Sequence, residues 1–597
     1  MLASDRATTT TGLPLVRAFF ARYGRRYLAV YGLGILFLLA TNGLTVAIPR
    51  LIKEVFDQLA TARDVASIDL LAALISMAAV TVIIVRTLSR ILFFNPGRTI
   101  EFRVRNDMLE RLLSMSANYF RQHAVGDLVS RAANDATHVR ALVGFSVLML
   151  LNLIMAAAFA FWQMFETHAR LTLYCMIPMA LSVVLMRYSV QSLYRIVRAA
   201  QDELGELSEH VLETLGGIAT IQAGVAEEAF TRRFDRHNDH YTALHLRIAV
   251  VRSFLLPSAT IVGHLCVFLL LLLGGRYAVD GEMTIGDIAA YASYIAMITG
   301  TLWAVGWLIN SLQRGYVSLI RCWQVVDMPS DRALGETALA TEGAGVDLCI
   351  DELRFHYPDE AGQKRAALDG VSLQLGSGRM LGIYGPVGSG KTTLVSLVSG
   401  LLRAPPGTIT LDGVDVCEVR PDCLHKAVAV VPQEAFLFSR SLRENIGFVD
   451  PPGAIDEQRV VASVEKAMLQ DEVERFVDGL ETVVGERGLT LSGGQRQRAQ
   501  LARALYRPCR LLVLDDVFSA VDHETEAKLM ATIAGEVDGA AAAPTVLLVS
   551  SRISVLARCD EVIVLDDGQV VERGHHRELL QREGLYARAW QAQRVDA

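Results

Sequence analysis

The sequence predicts two folds in one chain: an α-helical transmembrane bundle of six long spans with cytosolic extensions, then an α/β domain of the phosphate-loop type. Three observations carry this reading. Apolar runs near the bilayer-crossing length of about 20 residues fill the first half. Charged stretches between them keep helical periodicity. In the second half, Gly385-Pro386-Val387-Gly388-Ser389-Gly390-Lys391-Thr392 fits G-x-x-x-x-G-K-[ST] between an apolar strand and the start of a helix. With 597 residues, 52% of them hydrophobic, and a mean hydropathy of +0.33, the chain is too long for one domain and too apolar for a wholly water-exposed one.

Residues 1–26 are Thr-rich, then basic, with Arg17, Arg22, Arg25 and Arg26 and no cleavage-site pattern. They read as a cytosolic segment, not a removable signal. Residues 27–328 hold six spans, near Tyr27–Pro49, Leu70–Phe94, Val143–Trp162, Leu171–Met186, Phe254–Leu273 and Ile285–Asn310. The arginines before the first span place that end in the cytosol. The connection Lys53–Asp69 sets Lys53 and Arg63 against Glu54, Asp57, Asp64 and Asp69, while Asp280, Glu282 and Asp287 mark an acidic turn before the last span. Six crossings return the chain, so both termini are expected in the cytosol of a multi-pass cytoplasmic-membrane protein.

The inner stretches 95–142 and 187–253 are too long for loops, and Phe102–Met115 and Leu204–Leu215 repeat apolar residues at helical spacing among charges. The spans therefore continue as helices into the cytosol. They turn back near Ala117–Gly126 and Thr214–Ala223, where short docking helices are expected. Asn42, Asn152, Gln163, His264 and Asn310 interrupt the spans. Such groups either line a substrate path or bond helix to helix. Trp303 and Trp307, one turn apart, suit interfacial or packing roles. The net charge of −7 gives no sign of a nucleic-acid partner, and the eight cysteines include no C-x-x-C pair, so they read as free thiols.

A charged, Ala/Gly-rich linker, 329–347, leads to the second domain, 348–597. Its strand Met380–Tyr384 precedes the phosphate loop. The loop glycines let successive N–H groups and the positive helix end face phosphates. Lys391 reaches the β- and γ-phosphates, and the Thr392 hydroxyl ligates Mg²⁺. Gly385 through Thr392, with Thr393, are the candidate ATP-binding residues. Tyr357 is placed to stack on adenine or to pack in the core. Next come Val428–Val431 leading to Gln433, then Leu491-Ser492-Gly493-Gly494-Gln495, then Leu511–Leu514 ending in Asp515. A carboxylate at a strand tip beside the loop is an oxygen ligand of the kind Mg²⁺ takes.

In this order the motifs resemble the ABC transporter family, specifically exporter half-transporters that fuse six spans to one nucleotide-binding domain. Leu491–Gln495 stands as LSGGQ, the family's signature, and Thr482–Gly488 is similar to the exporter segment before it. The resemblance implies a RecA-like core with a helical subdomain. It implies two such domains head to tail, each ATP held between one chain's phosphate loop and the other chain's signature. It makes Gln433, with Thr392 and Asp515, a ligand of Mg²⁺ and of the attacking water. It makes Ser519–Asp522 the crossing segment and the two turning points coupling helices.

Two positions depart from the pattern. The family's glutamate after the Mg²⁺ carboxylate is Asp516, whose carboxylate stops about 1.5 Å short. The family's histidine after the next strand is Ser551, too short to reach the γ-phosphate. Asp516, Ser551 and Gln433 are thus the candidate catalytic residues of a site that binds ATP and hydrolyses it slowly. The expected protein is the degenerate half of a heterodimeric exporter, paired with a second half-transporter and moving an amphipathic small molecule, lipid or peptide. A homodimer with two slow sites and an ATP-gated regulatory or channel-like subunit are the alternatives.

Overall fold

The computed structural model describes residues 12–60, 65–329, 335–341, 343, 345–357, 366–485, 488, 491–519, 521–534 and 543–595. Arg63 and Asp64 of the first connection, parts of the N-terminal segment and the linker, Glu486, Arg487 and Ala520 lie outside them, as does the Trp303 side chain. The chain divides into two compact units, Met1–Leu113 with Val125–Met328, and Ser114–Ala124 with Pro329–Ala597.

The first unit is helical. Among the described residues five helices are long and apolar enough to cross a membrane: Leu13–Ala60, Ile68–Leu113, Val125–Ser182, Thr260–Val279 and Ile285–Val326. The predicted third and fourth spans share one run, Val147–Gly216, which breaks at His168, where φ −160° and ψ 100° leave the helix. His168 closes that break. Its Nδ1 accepts from Leu171 N at 3.2 Å, its Nε2 meets Glu282 Oε2 at 3.3 Å, and its ring stacks on Tyr277 at 4.2 Å. The predicted connection Lys53–Asp69 is a correction: Leu28–Ala60 and Val65–Leu113 are helical, so Lys53, Glu54 and Asp57 stand on a helix. The reason is tertiary. Lys53 pairs with Asp287 at 2.6 Å, Asp57 accepts from Gly286 N at 3.0 Å, and a Cβ on Gly286 would lie 2.3 Å from Lys53 O. The helices continue as predicted beyond the apolar runs, to Leu113 and Gly216, and short helices follow at Ala117–Gln122 and Ile218–Ala223.

The second unit is α/β. Its strands are β1 Leu348–His356, β2 Ala366–Leu375, β3 Met380–Tyr384, β4 Ile409–Leu411, β5 Val414–Asp415, β6 Val428–Val431, β7 Leu511–Asp515, β8 Thr545–Val549, β9 Glu561–Asp566 and β10 Gln569–Gly574. An antiparallel sheet runs β2-β1-β4-β5, and a larger one runs β10-β9-β3-β8-β7-β6, parallel except for β10. Every residue of β7 and β8 is buried, as expected where helices cover both faces of a parallel sheet. A helical group, Leu442–Ile446, Glu457–Lys466, Gln470–Arg475 and Gly493–Leu505, follows β6. The topology positions the site: β8 lies between β3 and β7, so the ends of three strands converge.

Candidate functional site at the phosphate loop

The loop after β3 closes on the helix Lys391–Val398. Gly390 joins them at φ +98°, and a Cβ there would come 2.4 Å from Ala367 O, so no other residue fits. The Gly568 N–H, in the β9–β10 turn, donates to Ser389 O at 3.2 Å and braces the loop from the side. Lys391 Nζ donates to Gly385 O at 2.8 Å and Pro386 O at 2.7 Å. Burial lowers its pKa, against the pull of Asp515 and Asp516. A pocket of about 450 Å³ opens between Tyr357, Ala366, Ala367, the residues Gly388–Thr393 and the Asp567–Gly568 turn. Tyr357 Oη and Thr393 Oγ1 lie 3.2 Å apart, which sets the tyrosine ring at the pocket's edge. Val387 is fully exposed. Asp567 and Gly568 are wall residues that the linear motif does not announce, because they reach the loop through the sheet.

Asp515, at the end of β7, is buried and hydrogen-bonded to the side chain of Thr392. Burial raises its pKa. Next in size, the Thr392 bond lowers it, Asp516 raises it and Lys391 lowers it. Two oxygen donors, Thr392 from the helix after the loop and Asp515 from the end of β7, with a lysine and a concave loop of N–H groups, fit a nucleoside triphosphate with Mg²⁺. The bound nucleotide would supply a γ-phosphoryl group for transfer to water. The chain's own contribution is positioning and charge stabilisation.

Asp516 and Ser551, the two departures, touch. In β7–β8, Asp515 is registered opposite Val549, so the residues just beyond meet. Ser551 donates to Asp516 Oδ1 from N at 3.2 Å and from Oγ at 3.1 Å. Asp516 takes φ +51° and donates N–H to Val549 O at 2.9 Å. Two further groups hold this corner. Gln593 Nε2 donates to Ser551 O at 2.7 Å, and Arg552 donates to Val521 O at 2.7 Å, Glu526 Oε2 at 3.0 Å and Ser519 O at 3.1 Å. Only the strand order could have revealed either contact. Gln433 is exposed just beyond β6, whose Val431 is registered beside Leu514 of β7.

The signature stands elsewhere. Ser492 caps the helix Gly493–Leu505 in a reciprocal box with Gln495, Ser492 N to Gln495 Oε1 at 2.9 Å and Gln495 N to Ser492 Oγ at 3.3 Å. Ser492 and Gly493 are exposed at this helix N-terminus, a ready anion site. Among the described residues, no member of Leu491–Gln495 lines the phosphate-loop pocket. In the crossing segment, Asp522 caps the helix His523–Ile533, accepting from Glu524 N and Thr525 N.

Comparison with known proteins accords with this geometry. Residues 31–302 match the family described as ABC transporter transmembrane region, and 368–519 match the one described as ABC transporter. The chain is 29% identical to the multidrug resistance-like ATP-binding protein MdlA of Escherichia coli, over 97% of this chain and 96% of that one. It is 30% identical to the cyclolysin secretion/processing ATP-binding protein CyaB of Bordetella pertussis, over 83% of this chain and 68% of that one. A solved bacterial Atm1-family ABC exporter with ATP bound shares the fold, with a TM-score of 0.78 at 22% identity over 95% of this chain and 98% of that one. The chain belongs to the ABC transporter family, as a half-transporter in which a membrane region is fused to an ATP-hydrolysing domain that drives export.

Proposed function

We propose that this chain is one subunit of a heterodimeric exporter for an amphipathic small molecule, lipid or peptide, and that the ATP site on its own phosphate loop hydrolyses slowly. The observation that carries this reading is the Ser551–Asp516 pair. A carboxylate one methylene short is bonded twice through one oxygen to the residue standing where a longer imidazole would reach forward. A water-positioning group displaced by 1 Å costs about a hundredfold in rate. Thr392, Asp515 and Gln433 are assigned to Mg²⁺, Tyr357 to the adenine, and Ser492 to Gln495 to the γ-phosphate of the partner's ATP. The separation of the signature from this chain's own pocket supports a site completed by a second chain. Binding of two nucleotides then closes the paired domains and turns the spans outward, and hydrolysis resets them.

The test is steady-state ATPase of the co-purified pair. Gly493→Asp sets a carboxylate against the γ-phosphate of the working site and is expected to remove most turnover. Asp516→Asn is expected to cost far less, because its site contributes little hydrolysis. Equal silencing by both changes would overturn the degenerate-site reading. Full activity and assembly of the chain alone would overturn the heterodimer.

A further inference from the structure

Within the first unit, the parts of Val147–Gly216 and Glu227–Leu269 beyond the apolar runs pack along Ala200, Leu244 and Ile248. Just beyond that contact stands a cluster of carboxylates and imidazoles. Glu203, Glu206 and His210 follow at helical spacing on one helix, and His237 and His240 lie three residues apart on the other. Glu203 Oε1 is 2.7 Å from His237 Nδ1, and its Oε2 is 2.8 Å from His240 Nδ1. Glu206 Oε2 is 3.6 Å from the same His237 nitrogen. One ligand atom each from Glu203, Glu206 and His237 lies within 4.8 Å of the others. Ligands about 2.0–2.1 Å from a tetrahedral centre stand about 3.4 Å apart, so this spacing closes on a cation with small rotamer adjustments.

His210 supplies an independent observation. It is 4% exposed and stacks on Phe230 at 5.6 Å. Its Nε2 lies 3.0 Å from Phe230 O, so in the neutral ring that nitrogen carries the proton and the lone pair lies on Nδ1. That Nδ1 is buried without a hydrogen-bond partner, where water cannot repay the lost solvation. A ring that donates one nitrogen to a backbone carbonyl and keeps the other bare has the arrangement of a metal-ligating histidine. Its centre is 6.5 Å from that of His237.

We propose that Glu203, Glu206 and His237, with His240 and His210 beside them, bind a divalent transition-metal cation of the zinc class that bridges the two helices. Imidazole nitrogens mixed with carboxylates suit zinc and its neighbours, whereas calcium and magnesium take oxygen throughout. Access is open on the side of Glu206 and His240, whose side chains are 66% and 63% exposed, while Glu203 is shielded at 12%. Such a cation would staple the helices that flank the short turn helix Ile218–Ala223.

The experiment uses the full chain, purified in detergent without a histidine tag, stripped with chelator and titrated with Zn²⁺ and with Co²⁺ in the absence of nucleotide. The expected result is one tight equivalent per chain, visible Co²⁺ absorption of the tetrahedral type and a higher unfolding temperature on Zn²⁺ addition. Glu203→Gln and His237→Gln are each expected to weaken that equivalent by at least 10–100-fold, the loss that an outer-shell partner alone brings. Unchanged binding of an ATP analogue confirms that the variants fold. The absence of a stoichiometric equivalent would overturn the site. So would binding that both variants leave intact, since the chain has 13 histidines. Equal competition by Ca²⁺ would overturn the zinc-class assignment.

Discussion

Asp515 and Asp516 are consecutive carboxyl groups in opposite surroundings. Asp515 is 2% exposed, and burial lifts its pKa. Folding therefore favours its protonated form: that contribution to stability is complete below the unfolded-state value and is lost as pH rises through the folded one. Above that folded value the ionised, buried group destabilises the nucleotide-free domain. Asp515→Asn should raise the unfolding temperature at pH above that folded value, while removing what slow hydrolysis this site performs. The gap in melting temperature should shrink toward acid, where wild-type Asp515 is itself protonated. A gap constant with pH would refute the assignment. Asp516 is exposed to a different constraint, since its φ of +51° suits Asp better than Glu. The pair Asp516→Glu with Ser551→His should raise turnover at this site by about 10–100-fold. Asp516→Glu alone should give less, because Ser551 still holds the carboxylate back. Tyr357→Ala should weaken ATP binding by roughly 1–2 kcal/mol. Tyr357→Phe should keep most of the affinity, because the ring remains while the hydroxyl and its bond to Thr393 are lost. Equal losses from Ala and Phe would argue for a hydroxyl role.

At the scale of elements, the end of β8 is tied to the start of the helix His523–Ile533 by one guanidinium. Arg552 holds Ser519 O, Val521 O and Glu526, and Glu526, 6% exposed, also accepts from Ser554 Oγ at 2.9 Å. Arg552→Ala should cost on the order of 2 kcal/mol, the range of hydrogen bonds to a charged group. Adding Glu526→Gln should recover part of it, because the buried charge is then gone. Thermal unfolding of the four proteins of this cycle measures the coupling, and strictly additive losses would show that the clamp is not one unit.

For the molecule as a whole, the orientation of the helices decides which ends face the cell interior. Cysteines introduced singly and labelled from outside intact cells should react at Asp69 and be spared at Asn118 and Ile218, near the two short turn helices. The reverse pattern would invert the proposed topology with both termini cytosolic. Asn42 and Asn152, equally readable from sequence as a substrate path, bond to each other at 3.2 Å. That gives them a role in joining helices.

Local chemistry determined much of this protein directly from the sequence. The strand Met380–Tyr384, the phosphate loop, the strand ending at Asp515 and the helices running past the membrane all follow from short-range rules of periodicity, turn chemistry and burial, and the structure carries them at the predicted residues. Tertiary structure decided what depends on partners distant in the chain. Helical order at Lys53–Ala60 came from Asp287 and Gly286, more than two hundred residues away. The break at His168 falls in the predicted gap between the third and fourth spans, but the partners that hold it, Glu282 and Tyr277, are distant in the chain. The contact of Ser551 with Asp516 required β8 to pair with β7, and the pocket wall at Asp567 and Gly568 required β9 to lie beside β3. Each is a pairing between segments whose separation along the chain carries no information about their distance in space. The free energy of closing them is set by the packing of the whole domain rather than by the residues at either end.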